Sequence, residues 1–174
     1  METKRRTLGS LHAPSFNAHL DEIQRQDGQI GQRIWIDHPA AIAIIPFLTD
    51  STILLVKQYR YAIGKETLEI PAGKVDPGET PDEAVYRELL EETGYDADHI
   101  EQVRSYYPAI GYSNEIIHLY KARGLHQQSG IVDTAEISSL EVVTLESLRS
   151  RVRSGQIMDG KTMLALGLVL ENKV

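Results

Sequence analysis

Short β-branched runs dominate the apolar pattern of this chain, and they predict strands more often than helices. Residues 41–47 (AIAIIPF) and 53–59 (ILLVKQY) are compact apolar runs separated by Thr49-Asp50-Ser51, which reads as a hairpin turn. Residues 103–107, 116–122 and 140–144 supply further strands. Towards the end the period changes: residues 145–154 and 160–172 read as helices, the second carrying Met163, Leu164, Leu166, Leu168 and Leu170. A third helix starts at Thr80-Pro81-Asp82-Glu83, with Thr80 as N-cap, Pro81 at the first helical position and Glu83 closing a capping box. Gly94 is placed to end it in a left-handed cap. Just before it, Leu68-Glu69-Ile70-Pro71-Ala72-Gly73 reads as a strand ending in a tight turn, and Asp76-Pro77-Gly78 as a second turn.

Strands on either side of a helix in this order predict an α/β fold, an α/β/α sandwich around a mixed sheet, over residues 41–174. The first forty residues lie outside that pattern. Residues 23–30, with Asp27-Gly28 as a turn, followed by residues 32–37, predict a β-hairpin arm over residues 1–40. Such an arm needs something to pack against, either its own domain or a second subunit.

On the central helix, at about 100° per residue, Glu88, Glu91 and Glu92 fall on one side, while Val85, Tyr86, Leu89 and Leu90 occupy the other. One face is expected to pack and the other to be a wall of carboxylates. Like charges on adjacent turns repel by on the order of tenths of a kcal/mol per pair in water, and more in a cleft. A cation among them is therefore expected. Hard divalent ions take carboxylate and carbonyl oxygens, and Mg²⁺ commonly binds through one or two carboxylates together with substrate phosphates. Arg87, four residues before Glu91, can orient that carboxylate with its fixed fork of donors. Gly73 lets the backbone approach closely.

Composition agrees with one compact domain: with 41% hydrophobic and 25% charged residues in 174, the chain can bury a substantial core. A formal charge of −7 argues against unspecific nucleic-acid binding, and an acidic protein acting on anionic phosphates needs metal ions for a favourable encounter. No cysteine is present, which excludes thiolate chemistry. No signal-like or membrane-spanning run is evident, so a cytoplasmic location without a membrane partner is expected.

Residues 73–95, GKVDPGETPDEAVYRELLEETGY, hold Gly73, Glu79, Arg87, Glu88, Glu91, Glu92 and Gly94 at the spacing of the Nudix box. The chain resembles the Nudix hydrolases. That resemblance implies two or three Mg²⁺ or Mn²⁺ ions held by Glu88, Glu91, Glu92 and the Ala72 carbonyl, with Glu79 bracing the loop against Arg87. His38-Pro39, Gln58-Tyr59-Arg60, the run from Leu68 to Gly73, Gly111-Tyr112-Ser113-Asn114-Glu115 and Asp159-Gly160-Lys161-Thr162 extend the resemblance to the subgroup that hydrolyses ADP-ribose and nucleotide sugars. In that subgroup an N-terminal extension crosses to a second subunit, which implies a homodimer.

Carried over residue by residue, the resemblance implies that Arg60 meets a phosphate or ribose and that Glu115, with Ser113 in the same segment, binds sugar hydroxyls. Arg33 would reach the base or phosphates from the partner subunit. Trp35, on the same strand face as Arg33, either stacks on the nucleobase or serves as a dimer contact. Two positions depart from the subgroup pattern. Ile110 stands where ADP-ribose enzymes tend to carry proline, with Pro108 two residues earlier, and serines follow in the run Asp133-Thr134-Ala135-Glu136-Ile137-Ser138-Ser139, where acids are common. Glu136, then Asp133, is the general base expected on that loop. The reaction implied is attack of water, activated by the metal ions, on one phosphorus of a diphosphate. GDP-mannose or another nucleotide sugar is the alternative substrate to ADP-ribose, and a non-catalytic ADP-ribose sensor the alternative class. A hydrolase of oxidised nucleoside triphosphates would share the box but not the arm, and RNA decapping would want a basic surface.

Overall fold

A computed structural model describes residues 1–128 and 137–171. Contacts divide the chain into two compact units, Met1–Ala40 with Tyr107–Ile116, and Ala41–Tyr106 with Ile117–Val174.

The first unit is a three-stranded antiparallel sheet of β1 (Thr3–His12), β2 (Asn17–Gln24) and β3 (Ile30–Asp37). The turn between β2 and β3 lies at Asp27-Gly28: Gly28 adopts φ 82°, and Gln29 N–H donates to Asp27 Oδ1 at 3.0 Å. β1 has no counterpart among the strands expected from the sequence. All ten of its residues are exposed, so it carries no apolar alternation to read. Its place is set by the ladder to β2 and by charges across the pair, Lys4 to Asp21 at 3.0 Å and Arg5 to Glu22 at 3.1 Å. Residues 107–116 belong to this unit through Ile36, whose N–H donates to Tyr112 O at 2.7 Å and whose carbonyl accepts from Asn114 N at 3.2 Å.

The second unit is built on a seven-stranded sheet of β4 (Ala41–Thr49), β5 (Thr52–Arg60), β6 (Lys65–Glu69), β7 (Ala72–Lys74), β8 (Tyr95–Tyr106), β9 (Ile117–Gln127) and β10 (Ile137–Thr144). The order is β10-β5-β4-β9-β8, with β6 beside β5 and β7 beside β4. Among the described residues only the β4–β9 ladder is parallel, so the sheet is mixed. Helices α1 (Pro81–Thr93), α2 (Leu145–Arg153) and α3 (Gly160–Leu170) cover it. β4 explains the architecture, since successive side chains of a strand point to opposite faces. Ile42 and Ile44 pack with Ala84, Val85 and Leu89 of α1. Ala43, Ile45 and Phe47 share a cluster with Leu148 of α2 and with Ala165, Leu166 and Leu168 of α3. A strand buried on both faces reads as an unbroken apolar run, and the result is the α/β/α sandwich. None of the described helices is long and apolar enough to cross a membrane.

Two expectations change. β8 begins at Tyr95 and pairs with β9 from Tyr95↔Gln127 to Tyr106↔Ile117, well before residue 103; as an outer strand with many exposed positions, it carries too few apolar residues to announce itself. Residues 68–73 are not one strand. β4 and β5 pair only at Phe47↔Ile53 and Thr49↔Thr52 and then part, β6 taking the edge of β5 and β7 the edge of β4. Ile70-Pro71 is the step between them. Pro71 has no N–H to give, and its carbonyl accepts from Ile44 N at 2.9 Å. Ile70 N–H donates to the Thr162 hydroxyl at 2.9 Å, and that hydroxyl donates to Asp159 Oδ2 at 2.6 Å.

Thr162 is fully buried, so Thr162→Val preserves shape while leaving the Ile70 N–H without a partner. Urea unfolding is expected to show a loss of about 1–3 kcal/mol with an unchanged slope; an unaltered midpoint would mean that this hydrogen bond does not secure the step.

Candidate active site

The step from β6 to β7 delivers the backbone of Ala72 and Gly73 to α1. The helix is capped as its sequence predicts: Glu83 N–H donates to Thr80 Oγ1 at 3.3 Å while the Glu83 carboxylate accepts from Thr80 N at 2.8 Å. Gly94, at φ 72°, closes the other end with its N–H on Leu90 O. Between the caps the faces differ from the simple two-sided picture. Val85 and Leu89 are buried, but Tyr86 and Leu90 are exposed. The three glutamates are graded, Glu91 exposed, Glu88 half-buried and Glu92 only 5% exposed. The carboxylate wall therefore begins inside the packed side of the helix.

Arg87 ties this helix to the loop before it. Its Nε and Nη2 donate to the two oxygens of Glu79 at 2.9 and 2.8 Å, and Nη2 also donates to Lys74 O at 3.0 Å. Nη1 turns the other way, to Glu88 at 2.7 Å and Glu91 at 3.1 Å. One guanidinium thus faces three carboxylates. The paired bonds from Arg87, with the Asp76 N–H, hold the Glu79 carboxyl down at about 2, and the carboxylates raise the Arg87 guanidinium above its already high value. Gly73 is constrained by the same helix: a Cβ there would collide with the Glu88 carboxylate. No larger residue fits without moving that side chain.

Glu92 is in the opposite electrostatic condition. Burial pushes its carboxyl up to about 8, and the Glu88 charge adds to the rise; the Ala72 N–H, donating at 2.9 Å, and the charges of Lys161 and Arg60 oppose it only in part. Lys161 and Arg60 lie in a second network. Arg60 Nε donates to Glu69 Oε1 at 2.8 Å, Lys161 Nζ pairs with Glu69 and, at 3.1 Å, with Asp159, and Thr67 Oγ1 also donates to Glu69. Burial would raise the Glu69 carboxyl, but Arg60 and Lys161 outweigh it and hold it at about 2. Glu69 and Lys161 lie within the segments 68–73 and 159–162, and neither was assigned a role from the sequence. The signal was there in the spacing Arg60…Glu69, a cation and an acid on adjacent strands, but the reach of Lys161 across 92 residues could not be read locally.

Among the described residues, no three carboxylate or imidazole side chains converge closely enough to hold an ion as they stand; Arg87 engages Glu88 and Glu91. Arg33, Trp35, Ser113 and Glu115 lie in the first unit. Arg33 on β3 is exposed and pairs with Glu2. Trp35 is two residues further along the same face; its Nε1–H donates to Asp21 at 2.8 Å, and its ring packs at 4.8 Å from that of His19. Ser113 Oγ accepts from Glu115 N at 3.1 Å, and the Glu115 carboxylate lies 3.7 Å from His38 Nδ1. Glu136 and Asp133, the expected general bases, lie outside the described residues.

A family model described as the NUDIX domain matches residues 37–161. An ADP-ribose pyrophosphatase of Bacillus subtilis (strain 168) is 32% identical over 153 residues, covering 87% of this chain and 83% of that protein. A GDP-mannose pyrophosphatase of Salmonella paratyphi B (strain ATCC BAA-1250 / SPB7) is 36% identical over 158 residues, covering 83% and 82%, and a methanol dehydrogenase activator of Bacillus methanolicus is 36% identical over 149 residues, covering 84% and 80%. A crystal structure described as an ADP compounds hydrolase shares the fold with TM-score 0.80 and 23% identity over 97% of this chain and 94% of that one.

The raised Glu92 carboxyl has a consequence for the metal-free protein. Its folded value of about 8 lies above the usual 4.5, so the stability gained by keeping it protonated is full below 4.5 and is lost as pH rises through 8. With EDTA present, thermal stability should decline across that window, and Glu92→Gln should flatten the decline. Parallel pH profiles for the two proteins would show that Glu92 ionises without penalty.

Proposed function

The chain belongs to the NUDIX family, and from that premise we propose that it hydrolyses the diphosphate linkage of ADP-ribose or of a related nucleoside diphosphate sugar such as GDP-mannose. With ADP-ribose, water adds to one phosphorus and the products are AMP and ribose 5-phosphate; another nucleotide sugar yields a nucleoside monophosphate and a sugar 1-phosphate. The observation that carries this reading is the buried Glu92 carboxylate, hydrogen-bonded to the Ala72 N–H and close enough to Glu88 to feel its charge. Relatives named ADP-ribose pyrophosphatase and GDP-mannose pyrophosphatase, each matched over more than 80% of both chains, support the substrate class.

A divalent metal suits this donor set. A carboxyl that burial and a neighbouring carboxylate make costly to ionise is stabilised by a dication beside it, and all the donors offered are oxygens. Glu88, Glu91, Glu92 and the Ala72 carbonyl would hold two or three Mg²⁺ or Mn²⁺ ions. Bound there, such ions neutralise charge developing on the bridging oxygen and make water a better nucleophile. The protein's own groups do the rest. Arg87, through Glu79 and the Lys74 carbonyl, keeps the loop and helix in register, so that the carboxylates are aimed before substrate arrives. Glu136 accepts the proton of the attacking water. Arg60 meets the phosphate or sugar, while Ser113, Glu115, and Arg33 and Trp35 of a partner subunit are substrate contacts proposed on family likeness.

A second copy of this chain is the proposed partner, and the cytoplasm the proposed location. Support for the dimer comes from β1, exposed along its whole length, and from Leu11 and Ile34, 77% and 68% exposed on the same sheet, a pattern that association would cover. Light scattering is expected to give twice the chain mass; a monomer at micromolar concentration would sink this part.

The function itself is tested with a panel of nucleoside diphosphate sugars in Mg²⁺ or Mn²⁺, scored by product mass. A nucleoside monophosphate should appear only when a divalent ion is present, and Glu136→Gln should lower the rate by roughly 10²- to 10⁴-fold. Cleavage that persists in EDTA, or none with any member, would overturn the proposal.

A further inference from the structure

One side chain completes the junction between β3 and the segment that links β8 to β9. In that segment Tyr112 N–H and Ser113 N–H both donate to Ala109 O, at 3.0 and 2.9 Å, and a parallel bridge pairs Ser113 with Ile36. β3 ends at Asp37, and beyond the bridge the Asn114 side chain takes over from the ladder. Its Oδ1 accepts from His38 N–H at 2.8 Å and its Nδ2 donates to Asp37 Oδ1 at 2.7 Å, while its main-chain N–H donates to Ile36 O at 3.2 Å. Three consecutive residues at the end of β3 are thus held by one. All of them belong to the first unit.

The partners fix which way the amide points. A backbone N–H only donates and a carboxylate only accepts, so the position demands an acceptor and a donor side by side on a short stem. Asparagine meets that demand. Aspartate would set a second carboxylate against Asp37, and leucine, of similar shape, would offer neither group.

What this clamp secures is the stretch on which Ser113 and Glu115 stand on either side of Asn114. Glu115 N–H donates to Ser113 Oγ at 3.1 Å, and the Glu115 carboxylate lies 3.7 Å from Nδ1 of the same His38 whose N–H Asn114 engages. The His38 ring stacks on Phe16, with centroids 5.8 Å apart. A displacement of Asn114 therefore carries Ser113 and Glu115 with it. Asn114 is itself exposed, where water readily replaces a lost hydrogen bond, so the clamp supplies geometry more than stability.

We propose that Asn114 is a positioning residue that, by clamping residues 36–38, presets Ser113 and Glu115 for the hydroxyls of the substrate. The assignment rests on the functional reading above and adds to it a residue that acts through its neighbours.

Four variants separate the clamp from a simple effect of charge. Asn114→Leu removes both side-chain bonds and leaves the charge unchanged. Asn114→Asp keeps an acceptor for His38 N–H but faces Asp37 with a like charge. Asp37→Asn still offers an amide oxygen to Asn114, and the double variant restores a donor–acceptor pair with its direction reversed. With Mg²⁺ and whichever of ADP-ribose and GDP-mannose is cleaved faster, KM should rise about 10-fold in Asn114→Leu and Asn114→Asp, with kcat within about 2-fold and melting temperatures close to the wild type. KM should stay near the wild-type value in Asp37→Asn and return to it in the double variant. Amide exchange at residues 38 and 114, followed by NMR without substrate, should quicken in the two variants that raise KM and slow again in the double variant. An unaltered KM or unaltered exchange in Asn114→Leu, or no recovery in the double variant, overturns the proposal. So does a KM that falls in Asp37→Asn as far as it rises in Asn114→Asp, the pattern that charge alone produces. A wild type that shows the exchange pattern yet cleaves neither nucleotide keeps the clamp and loses the hydrolase reading.

Discussion

The Glu88 carboxylate occupies the space that a side chain on Gly73 would need, and this close approach of β7 to α1 is the constraint on which the acidic site depends. It brings the Ala72 N–H within 2.9 Å of Glu92, and it brings the Lys74 carbonyl within 3.0 Å of Arg87. The approach is possible because β4 and β5 part after two paired positions, which lets the intervening chain run between them to the helix. Thr162 and the Pro71 carbonyl hold that chain at its step. Sheet topology, a glycine and one arginine thus act on the same few ångströms of backbone.

The acids of the region divide by environment. Glu79 and Glu69 are each matched to cations and held near 2, so they remain ionised and serve to position Arg87, Arg60 and Lys161. Glu92 is buried, no cation is bonded to it among the described residues, and its carboxyl rises to about 8. Groups of one chemical type pushed apart in this way commonly mark a working site. Here the split separates carboxylates that brace the structure from one that a dication would stabilise. It also explains how so many acids coexist in a small volume: most have their counter-charge within the protein.

Much of this was legible in the residues. The caps of α1, the turn at Gly28, the apolar run of β4 and the spacing Gly73…Glu79…Arg87-Glu88…Glu91-Glu92 are local signals, and each expresses itself in the element that carries it. What could not be read arises from long-range packing. β1 pairs without an apolar face, β8 is too exposed to announce its first half, and residues 68–73 change partner strand at a proline. The helix faces were also harder to read than the periodicity suggested, since Tyr86 and Leu90 remain exposed while Glu92 is buried. Helical angle says which residues are neighbours; it does not say how far the covering sheet extends. Lys161 meets Glu69 only because α3 begins beside the split in the sheet, a relation across 92 residues with no trace in local pattern.

On the proposed reading, a buried carboxylate braced on β7 takes a divalent ion needed for diphosphate hydrolysis. Titrating Mn²⁺ into the protein, with free ion followed by electron paramagnetic resonance, tests it directly against Glu92→Gln. Saturable binding that is weakened at least 10-fold by the substitution, with turnover falling in step, is the predicted result. Hydrolysis of a nucleoside diphosphate sugar by a protein that binds no dication, or Mn²⁺ affinity untouched by Glu92→Gln, would contradict the account.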